Sequence, residues 1–323
     1  MLKTQNLTEL DQLKTFSKVV IDTSDFDLMD KFKPLDATTN PSLILKSIKN
    51  PNYKHLIEDA ILYSKKNISN DNIETAAIKL FVNFGLEILK IVPGRVSIEI
   101  DAKYSFDTIK NIELAKKIIS LFEKNNISRE RILIKMATTW ECILAAKELE
   151  KDNIHCNMTL LFSIYQAIAC AEARATLVSP FVGRILDWYK KNENKTSYLP
   201  KEDPGVISVA NIFNYFKKFD YNTQIMGASF RNKEEILELA GCDLITIAPS
   251  LLEELTNSKS IVLKKLCENE AKASNLNKIS LDEKSFRYHL NQDPMAGEKL
   301  SEGIRLFERD LNVIKDLLKK EWF

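Results

Sequence analysis

The sequence has few residues that bind metals or form cross-links. In 323 residues there are three histidines, His55, His155 and His289, and five cysteines, Cys142, Cys156, Cys170, Cys242 and Cys267. None falls in a CxxC or HxxxH spacing, so neither a transition-metal site nor a disulfide framework is expected, and reduced, buried thiols fit best. A dominant charge is also absent, with 46 Lys and Arg against 45 Asp and Glu. That balance lacks the broad basic field of a nucleic-acid binder, so any phosphate must be met by a local group of side chains. There is no long apolar run either, and the first twenty residues include Glu9 and Asp11. Neither a signal peptide nor a membrane span is read there, and a cytoplasmic location is the expectation. No Gly/Ser-rich or Pro-rich linker interrupts the chain, and its most polar tract is the charged stretch 190–203. Residues 1–323 are therefore read as one domain, a length that α/β barrels reach with insertions.

What is present is enough apolar material, 45% of residues, to build a sizeable core, and enough charge, 28%, to solvate its surface. Short apolar, β-branched runs recur at 19–22, 35–39, 96–101, 132–137, 155–162, 176–181, 224–229 and 244–248. Between most of them lie stretches with helical periodicity, such as Asp107 to Lys124 with Ile109, Ile112, Ala115, Ile118, Ile119 and Phe122 on one face. Strands alternating with helices imply a parallel sheet, and eight such units imply a closed (β/α)8 TIM barrel with additional helices. An open doubly wound sheet is the alternative. The first two runs lie so close together that an irregular first connection is expected. Helix starts are read at Asn40-Pro41-Ser42, Thr138 with Glu141, Ser163 with Gln166, Asn232 with Glu235, and Ser250 with Glu253. A last helix is read from Ala296 to Lys320, packed over the barrel rim or against a partner.

In this architecture the carboxyl ends of the strands form the active-site rim, which selects the polar residues worth weighing. Lys135 stands inside Ile132-Leu133-Ile134-Lys135-Met136-Ala137. A strand-end lysine often snorkels to solvent. In a dry barrel, by contrast, a lysine amine can attack a ketone, and the resulting iminium is an electron sink that lets the adjacent carbon–carbon bond break without metal. Such chemistry needs a general acid/base, and Asp22 and Glu99 close or interrupt apolar runs at suitable strand ends. Each could equally be a structural acceptor. Asn40, Asn157 and Thr159 could orient the amine, substrate hydroxyls and a water, although such residues also cap helices. Ser179-Pro180-Phe181-Val182-Gly183-Arg184 and Gly227-Ala228-Ser229-Phe230-Arg231-Asn232 each join a hydroxyl, a glycine and an arginine after a strand. Planar guanidinium donors and a helix N-terminus suit a terminal phosphate.

At these residues the sequence resembles the transaldolase family over 19–323. The resemblance is carried by Asp36-Ala37-Thr38-Thr39-Asn40-Pro41-Ser42-Leu43-Ile44, Ile134-Lys135-Met136-Ala137-Thr138-Thr139-Trp140, Cys156-Asn157-Met158-Thr159-Leu160-Leu161-Phe162-Ser163 and Asn291-Gln292-Asp293-Pro294-Met295-Ala296, together with the two arginine segments. It implies a class I aldolase-type barrel with transferred strand order, no cofactor, sugar-phosphate substrates, a homodimer, and a place in the non-oxidative pentose phosphate pathway. It further implies that Lys135 forms the Schiff base, Asp22 is the acid/base, and Glu99 with Thr159 holds a catalytic water. Asn40 and Asn157 would bind the dihydroxyacetone moiety. Ser179, Phe181, Arg184, Ser229 and Arg231 would bind substrate hydroxyls or phosphate. Three positions depart from the family pattern: Cys142 where glycine is usual, Lys103 where arginine is common, and Arg174 where a small residue is expected. The rival readings are a plain aldolase that releases free dihydroxyacetone and a catalytically silent sugar-phosphate binder.

Overall fold

The computed structural model describes residues 7–67 and 71–322. All eight runs carry a strand: β1 Lys18–Asp22, β2 Asp36–Thr38, β3 Val96–Glu99, β4 Ile132–Ala137, β5 Cys156–Leu161, β6 Leu177–Pro180, β7 Gln224–Gly227 and β8 Leu244–Ile247. They pair in sequence order, every pair parallel, and β8 closes against β1. The barrel is therefore closed, which excludes the open doubly wound sheet. Helix Glu9–Leu13 precedes β1, and helices Glu268–Ala273, Glu283–Gln292 and Pro294–Trp322 follow β8 beyond the regular units.

The first connection is more regular than its length implies. Helix Phe26–Phe32 fills it, entered through Asp25, whose side chain accepts from the Asp27 and Leu28 amides, and left at Lys33 with φ 45°. Two tight ends fit a helix of seven residues into an interval that reads as too short for one. Among the expected helix starts, Asn40 caps Pro41–Ser47, and Ser163 with Gln166 forms a reciprocal capping box. Asn232 caps its helix as expected. The cap at the end of β4 is Thr139 rather than Thr138, whose hydroxyl instead donates to the Thr159 carbonyl at 2.7 Å. After β8 the helix starts at Pro249 behind Ala248, so Ser250 lies inside it, and Glu253 pairs with Lys31. In helix Thr108–Glu123 the buried face runs through Asn111, Leu114, Ala115, Ile118, Ile119 and Phe122. Ile109 lies off that face, 80% exposed.

Alternation along the strands sorts the side chains. Ile132, Ile134 and Met136 of β4 pack outward into the main core beneath the helices, while Leu133 joins Val20, Leu177, Met226 and Leu244 in a separate cluster inside the barrel. Two residues further along four of these five strands the inward position becomes polar: Asp22 follows Val20, Lys135 follows Leu133, Ser179 follows Leu177 and Thr246 follows Leu244, while Ala228 follows Met226. The interior thus has an apolar floor and a polar upper layer at the carboxyl ends.

The C-terminal helix, Pro294–Trp322, lies over that polar layer, against β5 and the helices that follow β2 and β6. Lys315 Nζ reaches Asp101 Oδ2 at 2.6 Å, Trp188 Nε1 donates to Glu298 Oε2 at 2.7 Å, and Ser42 donates to Asp310. A β-bulge between Met158 and Leu161 turns Leu160, at φ 53°, up toward the helix. Leu160 meets the helix at Gly303, where a Cβ would stand 2.5 Å from Leu160 Cδ2, so a larger residue there would displace the Leu160 side chain.

Candidate active site

Beneath this helix lies a cavity with about 430 Å³ of empty space, counting its open mouth. Eight of the candidate residues line it: Asp22, Asn40, Lys135, Thr159, Ser179, Phe181, Arg184 and Ser229. They come from the ends of β1, β2, β4, β5, β6 and β7, and the closed barrel brings these ends together.

Lys135 is 5% exposed, so the snorkelling alternative fails. Its Nζ donates to the Thr39 carbonyl at 3.1 Å and faces Glu99 Oε2 at 2.9 Å. Strand register sets Glu99 directly beside Lys135. The carboxylate oxygen lacks the alignment of a hydrogen bond, so the contact is an ion pair. Asp22 Oδ1 accepts from Thr38 Oγ1 at 2.9 Å, and Thr38 in turn meets Thr246 Oγ1 at 2.8 Å. Burial pushes both carboxyls above their usual range, while the Lys135 charge pulls each back. Two carboxyls whose protonated forms are favoured by burial, both feeling one amine, are suited to proton transfer.

Thr159 Oγ1 is fully buried and has no hydrogen-bond partner, a costly condition for a hydroxyl in a protein interior. Asn157 does not line the cavity. Its amide lies one step back, donating to Ser97 Oγ at 3.0 Å and accepting from Ser179 Oγ. Glu99 likewise stands behind Lys135 rather than on the wall. Asn40 Oδ1 is used as a cap for the Leu43 amide at 3.0 Å, yet the residue still lines the cavity.

At the rim Arg184 makes no hydrogen bond or ion pair with the described residues. Its guanidinium stacks on Phe181 at 4.9 Å and Phe307 at 5.5 Å. Burial, followed by the nearby Arg231 charge, holds its pKa below the ordinary arginine value. A stacked, unpaired guanidinium is well placed for an anion. Arg231 is not part of the lining, because Asp187 Oδ2 takes its Nη2 at 2.7 Å and Nε at 3.1 Å. The two helix N-termini offer fewer donors than expected. Val182 and Gly183 amides donate to the Ala228 and Ser229 carbonyls at 2.9 and 3.0 Å, and the Arg231 amide donates to Glu235 Oε2 at 2.7 Å. Gly183 is required by that approach, since a Cβ would lie 2.5 Å from the Ser229 carbonyl.

Thr38, Met226, Ala228, Thr246 and Phe307 also line the cavity, although the sequence reading did not select them. Thr246 carried a signal, a hydroxyl inside Leu244-Ile245-Thr246-Ile247, and Phe307 carried none. Beneath the Arg231 turn, the Glu235 carboxyl is pushed up to about 7 by burial, with the Asp203 carboxyl adding to it against the Arg231 amide. Among the described residues no group of three or more His, Cys, Asp or Glu side chains could hold a metal ion, and no helix is long and apolar enough to cross a membrane.

Comparison with known proteins agrees with this geometry. The family model described as "Transaldolase/Fructose-6-phosphate aldolase" matches residues 19–318. A transaldolase of Protochlamydia amoebophila is 57% identical over 312 residues, which is 96% of this chain and 97% of that protein. The human transaldolase is 55% identical over 317 residues, covering 97% and 94% of the two chains. The Saccharomyces cerevisiae transaldolase is 55% identical over 318 residues, covering 97% and 95%. A lysine buried in an eight-stranded barrel beside two raised carboxyls, and a match running through all eight strands at this level of identity, place the chain in the transaldolase family.

Proposed function

We propose that the chain is a transaldolase that moves a dihydroxyacetone unit from sedoheptulose 7-phosphate to glyceraldehyde 3-phosphate, leaving erythrose 4-phosphate and fructose 6-phosphate. The observation that carries this reading is the buried Lys135 amine, 2.9 Å from Glu99 Oε2 and in one cavity with Asp22. Lys135 gives a proton to Glu99, its ion-pair partner, its Nζ adds to the C2 carbonyl of the donor ketose, and that proton leaves with the hydroxyl as water to give an iminium. Asp22 takes the C4 hydroxyl proton as the C3–C4 bond breaks, the aldehyde leaves, and the electron pair is held as an enamine. The enamine carbon then attacks the acceptor aldehyde, Asp22 returns the proton to the new hydroxyl, and water hydrolyses the product iminium.

Glu99 and Thr159 hold the water used in these steps. The support is that Thr159 Oγ1 and Glu99 Oε2 are both buried without a hydrogen-bond partner, Thr159 on the cavity wall and Glu99 against the Lys135 amine. Asn40 recognises the dihydroxyacetone hydroxyls from the cavity wall, and Asn157 acts behind it by holding Ser179, which lines the same wall. Phe181 holds Arg184 flat, and Arg184, Arg231 and Ser229 bind the phosphate, with Arg231 exchanging its Asp187 partner for the substrate. On this reading residues 1–323 act as one domain, in the cytoplasm, as a homodimer in the non-oxidative pentose phosphate pathway, and without a cofactor. The test is to supply fructose 6-phosphate with and without erythrose 4-phosphate. Formation of sedoheptulose 7-phosphate only with the acceptor supports transfer. Efficient release of dihydroxyacetone without it replaces transfer by the aldolase reading, and no turnover of either kind favours the silent binder.

A further inference from the structure

Phe307 is 3% exposed, lines the cavity, and sits between its two cations. The ring centroid is 5.7 Å from Lys135 Nζ and 5.5 Å from the Arg184 guanidinium carbon. Its position is set from both sides along the C-terminal helix. One turn before it, Gly303 lets the helix settle onto Leu160; shortly after it, Asp310 accepts from Ser42 and Lys315 reaches Asp101 at 2.6 Å. A ring so held cannot drift away from the amine without moving the whole helix.

We propose that Phe307 is a specificity-determining residue that commits the Lys135 adduct to transfer rather than to hydrolytic release; this inference rests on the Schiff-base reading above. After the donor aldehyde has left, the enamine on Lys135 has two fates. In transfer, its carbon forms a bond to the acceptor carbonyl carbon, and a proton goes to the new alkoxide. In release, the same carbon takes a proton, water adds to the resulting iminium carbon, the C–N bond breaks, and free dihydroxyacetone departs with the lysine amine restored. The second fate requires solvent protons to reach the enamine carbon, C3, which is one carbon removed from the nitrogen that the ring faces. The ring body lies over that nitrogen and covers the approach with apolar surface, so the adduct waits dry for an aldehyde. A polar side chain here would bring its own proton donor. The ring has none.

The experiment compares the parent with Phe307→Ala, Phe307→Val and Phe307→Leu, measuring the ratio of dihydroxyacetone release without acceptor to transfer with acceptor. The small side chains open the approach to water and should raise this ratio about tenfold, a barrier difference of about 1.4 kcal/mol. Phe307→Leu, which restores most of the volume, should move it back toward the parent. If the alanine variant does not melt cooperatively, the valine variant carries the measurement. A ratio unchanged while both rates fall together would make Phe307 merely structural and overturn the proposal. Borohydride trapping of the parent with fructose 6-phosphate separates the two failures: an adduct on Lys135 with an unchanged ratio sinks this proposal alone, whereas no adduct sinks the Schiff-base reading with it.

Discussion

Glu235→Gln tests how the Arg231 turn is held. Glu235 is 1% exposed; one carboxylate oxygen accepts the Arg231 amide at 2.7 Å and the other is buried without a hydrogen-bond partner, on a carboxyl that also feels Asp203. Its pKa rises from 4.5 to about 7, because ionising it means placing a second negative charge in a buried site. The folded state therefore binds the proton more tightly than the unfolded chain. Below about pH 4.5 both states are protonated and the associated stability is fully present. As pH rises toward 7 the unfolded state ionises first, and that stability is lost. At about 1.4 kcal/mol per unit the ceiling is about 3 kcal/mol, and screening reduces the expected loss to about 1–2 kcal/mol. Glutamine cannot ionise, keeps an oxygen for the Arg231 amide, and presents an N–H to the Asp203 side. Urea denaturation at pH 5 and pH 8 should therefore show the parent losing about 1–2 kcal/mol more than the variant over that interval. Parallel pH profiles for the two proteins would refute the assignment.

Two of the departures from the family pattern give further predictions. Cys142 is buried in the first turn of its helix, with Sγ 3.4 Å from the Ser105 carbonyl, and burial pushes its thiol up to about 12. Cys142→Gly should cost about 1–2 kcal/mol through lost packing and helix propensity while leaving turnover unchanged; denaturation and a transfer assay measure both, and no change in either would remove any role for the side chain. Arg174 has φ 61° just after the helix that precedes β6, a left-handed conformation that favours glycine and explains why a small residue is expected there. Arg174→Gly should stabilise the fold by up to about 1 kcal/mol, and a lower melting temperature would contradict that. Lys103 calls for no such test, since it keeps the cation, paired with Glu74 at 3.1 Å and lying over the Tyr104 ring at 4.5 Å.

The strands were legible because a parallel strand buried on both faces must be nearly all apolar, as Ile132-Leu133-Ile134 and Leu244-Ile245 are. The same logic exposed Lys135, Asp22 and Glu99, whose charges stand out against such runs. Local signals reached their limit where the backbone could choose between adjacent options: Thr138 and Thr139 are equally good caps by type, and only the Thr159 carbonyl decides between them. Ile109 looked buried because a periodicity read over one turn too many includes a position that lies off the face. The partners of Arg231 and Asn157 depend on Asp187, Ser97 and Ser179, residues far apart in the chain, and no spacing rule relates them. Phe307 is the clearest case. A phenylalanine on an amphipathic helix reads as ordinary core, and its place over Lys135 follows from Gly303 meeting a bulged Leu160.

The most direct test of the central claim is borohydride reduction in the presence of fructose 6-phosphate, followed by intact mass measurement and peptide mapping. A reduced three-carbon adduct is expected on Lys135 and none on the Lys135→Ala protein. Absence of an adduct from protein shown to bind the substrate, or an adduct on another lysine, would contradict it.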